Sequence, residues 1–241
     1  ATPARLTAPA SMVPSAMSMT GARMTDRAGN IAAGLRILPG ALDAQDRRHL
    51  LGAIATLLEA APPFRPAMPR NGKPFSVRMT NAGPLGWVSD RAGYRYQPTH
   101  PDTDRPWPPI PPVALDLWRA QAGYGADPEA CLVNLYDASA RMGLHRDADE
   151  AAKDAPVMSI SLGDTALFRI GGPQRNDATR SLRLAAVDVA ILAGAARHCF
   201  HGIDRVIAGT SRLPDGCPTE LKAAGIRRIN LTLRRVTLPD S

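Results

Sequence analysis

The sequence has no apolar run near the eighteen or so residues needed to cross a bilayer, and residues 1–30 lack the continuous hydrophobic stretch of a secretory signal. A soluble cytoplasmic protein with no membrane partner is therefore expected. Cysteine is scarce: Cys131, Cys199 and Cys217 are 3 in all, with no CxxC spacing. An odd, unpatterned set argues against a disulfide scaffold or a thiolate zinc site, and the thiols are expected to be reduced. Aromatic residues make up only 5% of the chain, and no segment recurs at a fixed period.

What remains is aliphatic, small and basic. A chain of 241 residues suits one domain around one hydrophobic interior. A formal charge of +7 and a pI near 9.9 concentrate polyanions such as nucleic acid near the surface. Nearly all of that charge is arginine in an alanine-rich chain, a pattern that base composition of a genome also produces. Charge alone leaves a nucleic-acid partner open.

Residues 1–30 are small, polar and dotted with proline, which predicts a flexible extension outside the fold. Residues 41–61 carry an apolar face at Leu50, Ile54 and Leu57/Leu58 and stop before Pro62-Pro63, which predicts a helix with His49 on its surface. Residues 62–112 combine proline and glycine with Trp87, Tyr94, Tyr96 and Trp107, as ordered loops or short hairpins do. Residues 113–122 predict a second helix. After Asp127, short β-type runs alternate with turn signals: "ACLVNLY", "VMSISLG", "ALFRI", "DVAILAG", "RHCFHGI" and "RRINLTLRRV". Such texture predicts a sandwich or barrel.

The candidate chemistry begins at "LHRDADE", residues 144–150. On a strand, His145 and Asp147 project from one face, although an HxD alone is weak. His100-Pro101-Asp102 has the same spacing, but Pro101 cannot donate to a β ladder, so that copy belongs in a loop. His201 offers a third ligand. Two histidines and one carboxylate form the facial triad that holds non-heme Fe(II) with positions left open for cosubstrate and oxygen. His198 competes, but its odd offset turns it away from His201 on a strand. In "RRINLTLRR", Arg228, Asn230, Thr232 and Arg234 share one face and Ile229, Leu231 and Leu233 the other. Such a strand is commonly half exposed. Inside a small barrel, the same face becomes a clamp for carboxylates.

HxD, a distant histidine and RxNxTxR in this order resemble the AlkB type of Fe(II)/2-oxoglutarate-dependent dioxygenase. The likeness extends from about Ile31 through "MTNAGPLGW", "GYRY", "CLVNLYDASARMGLHRDADE", "SISLGDTALFRIGG", "FHGI" and "RRINLTLR". It implies a mainly β fold with flanking helices, a double-stranded β-helix (jelly roll) core and an N-terminal nucleotide-recognition lid. Residues 31–241 would form a single domain, with the helix and lid in 31–112 and the catalytic core in 113–241. His145, Asp147 and His201 would bind iron. Asn134 and Tyr136, on one strand face, would contact 2-oxoglutarate with Arg228, Asn230 and Arg234, while Thr232 only packs. Trp87 would stack a base, Tyr94, Arg95 and Tyr96 would form the lid, and Arg175 would contact substrate. Asp149 is expected to continue the iron strand on the face of His145 and to pair with a cationic methylated base. Trp107 and Trp118 are assigned to packing.

The reaction implied is oxidative demethylation of bases such as N1-methyladenine and N3-methylcytosine. It would couple O2 and 2-oxoglutarate consumption to release of succinate, CO2 and formaldehyde, with the protein supplying ligation, orientation and exclusion of water. A base inside a duplex cannot reach buried iron, so the expected partner is single-stranded or flipped-base DNA, with RNA as the alternative, bound by a monomer. The rivals are the same chemistry on RNA, tRNA or protein, and a barrel that binds nucleic acid without catalysis. Residues 202–227 run longer than in the best-known bacterial members, which predicts an extended surface loop.

Overall fold

The computed structural model describes residues 33–211 and 217–239, so the predicted extension at 1–30 lies outside the described residues. The elements run β1 (Leu35–Leu38), α1 (Ala44–Ala60), β2 (Arg78–Ala82), β3 (Gly86–Asp90), β4 (Gly93–Gln97), α2 (Pro112–Gln121) and β5 (Ala130–Asp137). They continue with β6 (Met142–His145), β7 (Val157–Gly163), β8 (Thr165–Ile170), β9 (Arg180–Leu184), β10 (Val189–Leu192), a 3-10 turn (Gly194–His198), β11 (His201–Ile207), α3 (Thr219–Ala223) and β12 (Ile226–Arg234).

A six-stranded sheet ordered β1-β10-β7-β12-β5-β2 faces a four-stranded sheet ordered β6-β11-β8-β9, with β3-β4 as a separate hairpin. This is the expected mainly β, jelly-roll architecture. The alternation in the central strands decides which side does what. Cys131, Val133 and Leu135 of β5 and Ile229, Leu231 and Leu233 of β12 join one hydrophobic core with α1 and α2. Their neighbours Asn134, Asn230, Thr232 and Arg234 turn to the opposite side and border a cavity. Burial of each large aliphatic side chain stabilises by roughly 1.5–3 kcal/mol, so a one-residue register slip would be prohibitive.

Helix α1 starts where Asp43 accepts from the backbone N–H of Gln45 and Asp46, at 2.7 and 2.8 Å. It buries Leu50, Leu51, Ile54 and Leu57. Helix α2 buries Trp118, whose Nε1 donates to the Ala126 carbonyl at 2.9 Å. Trp107 is also buried, so both tryptophans pack as expected.

The loop-rich segment is tied down by Phe64, His100 and Trp107, whose rings lie 5.2–6.3 Å apart. His100 Nδ1 accepts from the backbone N–H of Asp102 and Thr103, so its Nε2 donates to the Pro62 carbonyl at 2.7 Å. Neither nitrogen has a lone pair free for a metal, and the second HxD is a loop brace. Among the described residues, β1 and β9 fall outside the expected runs, β2 adds an edge strand to the main sheet from the segment expected to hold loops or hairpins, and β6 ends at His145, where the iron strand was expected to continue. In the long 202–227 segment, α3 and its flank bury Leu221 and Cys217 in the main core, so that part is not simply surface loop. Residues 212–216 lie outside the described residues.

Candidate metal centre

His145 ends β6 and His201 begins β11, and the two are direct cross-strand partners. Gly202 permits this approach, because a Cβ there would stand 2.5 Å from the Met142 carbonyl oxygen and 2.8 Å from that of Gly143. The imidazole centroids lie 4.6 Å apart. Asp147 is not on the strand. β6 stops at His145, and the carboxylate comes from the loop beyond it, so strand alternation does not explain the pairing of His145 with Asp147. Asp149 is likewise on that loop, not on a continued strand.

The three side chains nevertheless converge. Asp147 Oδ1 is 3.8 Å from His145 Nε2, and Oδ2 is 3.7 Å from His201 Nε2. Ligand atoms of all three lie within 4.8 Å of one another. His145 Nδ1 is 2.9 Å from the Gly143 carbonyl and His201 Nδ1 is 3.1 Å from that of Cys199. A carbonyl only accepts, so each Nδ1 carries the proton and each Nε2 keeps its lone pair toward Asp147. Asp147 Oδ2 is buried without a hydrogen-bond partner among the described residues. An orphaned carboxylate oxygen beside two imidazole lone pairs is the donor set a divalent cation satisfies, and the residues fit iron.

Electrostatics favour the ligating protonation states. Burial pushes the Asp147 carboxyl up, but Arg234, His201 and His145 outweigh it and hold the group below the ordinary carboxylate range. Burial, reinforced by His145, lowers the His201 imidazole to about 4, so it is neutral at pH 7. Since the unfolded histidine titrates near 6.5, the metal-free protein is expected to lose stability as pH falls from about 6.5 through 4. Urea unfolding across that range checks the sign, and His201→Ala should flatten the slope.

The polar face of β12 continues from this centre. Asn230 donates to Ser159 Oγ at 2.7 Å and to the Ile160 carbonyl at 3.0 Å. Thr232 is more than packing: it borders the cavity, and its hydroxyl donates to Asn230 Oδ1 at 3.0 Å. Asn134 lies across from it, with a buried Oδ1 that has no partner among the described residues. Tyr136 is buried, which pushes its phenol up to about 12 and keeps it a proton donor at neutral pH.

The two arginines differ. Arg234 donates to Asp147 Oδ1 at 2.7 Å and lies 3.6 Å from Glu150. Arg228 is 1% exposed and donates to Ser161 Oγ and to the carbonyls of Asp164 and Leu184. It has no carboxylate partner among the described residues, and burial lowers its guanidinium to about 10. It does not border the cavity itself, whereas Tyr136 and Leu184 do.

The cavity, of about 870 Å³, connects the His145–Asp147–His201 cluster to Trp87, Tyr94, Asp149 and Arg175. Trp87 stacks on Tyr94 at 5.6 Å and 19°, and its Nε1 donates to Asp149 Oδ2 at 3.0 Å. Arg175 donates to the Leu144 carbonyl and sits over Phe200, 5.7 Å from the ring centre. Arg95 and Tyr96 do not reach the cavity. Arg95 is on the other face of the hairpin, paired with Asp90 at 2.8 Å. Tyr96 shares the Trp87 face, but its hydroxyl turns inward and donates to Glu150 Oε1 at 2.5 Å. His198 is exposed and away from the cluster.

Sequence reasoning missed Glu150 and Arg197, both 2% exposed and paired at 2.9 Å across 47 residues. The only signal was an acidic residue after "DAD" and an arginine before the third ligand, neither specific.

The sequence model of the 2OG-Fe(II) oxygenase superfamily matches residues 34–234. An AlkB homologue from Caulobacter vibrioides, named an alpha-ketoglutarate-dependent dioxygenase, is 50% identical over 91% of this chain and 96% of its own. The dioxygenase AlkB of Escherichia coli is 40% identical over 72% of this chain and 77% of its own. The solved structure of OsALKBH1 superposes with a TM-score of 0.68 at 28% identity, covering 84% of this chain and 96% of that one. The superfamily works with Fe(II), 2-oxoglutarate and O2, and the His145–Asp147–His201 cluster fits that iron. Half-identical to an AlkB homologue along nearly its whole length, this chain belongs to the AlkB family of Fe(II)- and 2-oxoglutarate-dependent dioxygenases.

Proposed function

We propose that this enzyme removes N-methyl groups oxidatively from bases such as N1-methyladenine and N3-methylcytosine in single-stranded or flipped-base DNA. The observation that carries the reading is a single cavity with the histidine–carboxylate cluster, an aromatic pair and an uncoordinated carboxylate, Asp149, on its walls. Bound iron and 2-oxoglutarate supply the oxidation, in which one oxygen atom of O2 leaves in succinate and the other enters the N-methyl C–H bond. The hydroxymethylated nitrogen then releases formaldehyde, and no side-chain nucleophile is required.

The residues do the rest. His145, Asp147 and His201 hold the metal from one side. Arg228, a buried cation with no carboxylate of its own, takes the cosubstrate carboxylate remote from the metal. Tyr136 and Leu184 border the cavity where Arg228 does not, so the carboxylate reaches the guanidinium only if one of them moves aside. Arg234, Asn230, Asn134 and Tyr136 orient the remainder. Trp87, backed by Tyr94 on one face, stacks the base on the other. Trp87 occupies one Asp149 oxygen, and the second faces a base that is cationic when methylated at these positions. Arg175 at the rim meets the polyanion. Charge and stacking do not distinguish deoxyribose from ribose, so RNA is the second substrate class to test.

Incubation with matched methylated DNA and RNA oligonucleotides, Fe(II) and 2-oxoglutarate, followed by mass measurement of the bases, tests the assignment. Loss of one methylene mass unit (CH2) from DNA bases, with stoichiometric succinate, is expected. Trp87→Ala should raise KM for the oligonucleotide about 5- to 150-fold, the equivalent of 1–3 kcal/mol of base stacking. Succinate without any base product on either polymer would point to a protein substrate instead.

A further inference from the structure

Asp147 lies beyond the end of β6, so no strand ladder orients it, yet its carboxylate must meet two histidines held by β6 and β11. The contacts around its loop show what supplies the missing constraint. Arg197 Nη1 donates to the Asp147 carbonyl at 2.6 Å and Nε to the Ala155 carbonyl at 2.9 Å. Its Nη2 donates to Glu150 Oε2 at 2.9 Å. One guanidinium thus fastens the first residue, the middle and the far end of the 147–155 segment. It stands on the 3-10 turn four residues before His201, so the element that delivers the third ligand also grips the loop that delivers the second.

Glu150 completes the device from the other side. Its Oε1 accepts from the Tyr96 hydroxyl at 2.5 Å and lies 3.6 Å from Arg234 Nε. Arg234 in turn donates to the Tyr96 oxygen at 3.3 Å and to Asp147 Oδ1 at 2.7 Å. Asp147, Glu150, Arg197 and Arg234 are all 8% exposed or less. Two carboxylates and two guanidiniums balance in charge, which is what makes burial of all four tolerable. Tyr96, from the hairpin that carries Trp87, is the only uncharged member.

We propose that Glu150 and Arg197 are positioning residues that set Asp147 in its ligating orientation, and that Tyr96 ties the Trp87 hairpin to the same network. The proposal rests on reading His145, Asp147 and His201 as the iron site. It makes three residues without a metal contact determinants of metal affinity, and it gives Tyr96 a role inside the network in place of a substrate contact. Partners that orient a ligand typically change metal affinity 10–100-fold when lost.

Co(II) binding to the metal-free protein tests this without turnover, by calorimetry and by the visible d–d spectrum of the bound ion. Wild type should bind one Co(II), and His201→Ala should abolish that binding. Glu150→Gln and Arg197→Lys should weaken it about 10- to 100-fold, since the single nitrogen of a lysine cannot span the three separated acceptors that Nε, Nη1 and Nη2 of the guanidinium reach. Tyr96→Phe buries no new charge and should fold in any case; it should weaken Co(II) binding several-fold and alter the d–d band. Folded variants with wild-type affinity and spectrum would overturn the proposal. If the two charge variants do not fold, Tyr96→Phe decides alone: unchanged Co(II) affinity and spectrum overturn the proposal, and weakened binding supports it. A wild type that binds no Co(II) would overturn the iron reading, and this proposal with it.

Discussion

Arg228→Met is expected to cost the enzyme its cosubstrate while leaving its fold. The guanidinium is a cation at 1% exposure with no carboxylate at ion-pair distance among the described residues; burial lowers it to about 10, and Asp188 offsets this only through space. Replacing a buried charge with an apolar side chain of similar length is often neutral or stabilising. Against that gain stand the Ser161 hydroxyl and the Asp164 and Leu184 carbonyls, which lose their donor. These effects oppose each other, and stability should stay within about 2 kcal/mol of wild type. Cosubstrate binding has no such compensation. Truncating one partner of a buried charge pair costs about 2–5 kcal/mol, or about 30- to 4000-fold in KM for 2-oxoglutarate. Succinate release titrated with 2-oxoglutarate, beside urea unfolding, measures both. A KM within threefold of wild type would remove Arg228 from the clamp.

Asp147→Ala and His201→Ala should both end turnover but part company in stability. Asp147 accepts from Arg234 at 2.7 Å in a site where both groups are buried. Its removal leaves that guanidinium with the Tyr96 hydroxyl at 3.3 Å and, among the described residues, one carboxylate, Glu150, 3.6 Å from Nε. Breaking a buried pair costs about 3–5 kcal/mol, and the remaining carboxylate places this case near 3. His201 is a neutral imidazole whose loss strands no charge, so the metal-free His201→Ala protein should unfold within about 2 kcal/mol of wild type. Equal destabilisation of the two variants would show that the Arg234–Asp147 contact contributes nothing to the fold.

The polar residues of the two central strands were legible because they sit at fixed spacings. The alternation in β12 put Arg228, Asn230, Thr232 and Arg234 on one side, and the two-residue step in β5 put Asn134 and Tyr136 together. Helices α1 and α2 were readable from their apolar faces and from the prolines that bound them. Short or polar strands were not. β1 has 4 residues, and β9, "RSLRL", alternates arginine with aliphatics as an exposed loop might. The convergence of His145 and Asp147 was expected for a strand-based reason, yet the carboxylate comes from a loop. Tyr96 and Arg95 share a motif with Trp87 but leave the cavity, one inward to Glu150 and the other outward to Asp90.

The sequence by itself determined the polar face of the last strand and the strand-rich texture, because each depends on neighbours a few residues apart, while the distant third ligand, His201, was reached through the order of motifs along the whole chain. Only the tertiary structure decided what holds Asp147 in place. Glu150 and Arg197 are 47 residues apart, Tyr96 and Glu150 are 54 apart, and no local pattern marks either pair. A buried charge is tolerable only beside its partner, and that proximity exists only once the chain has folded.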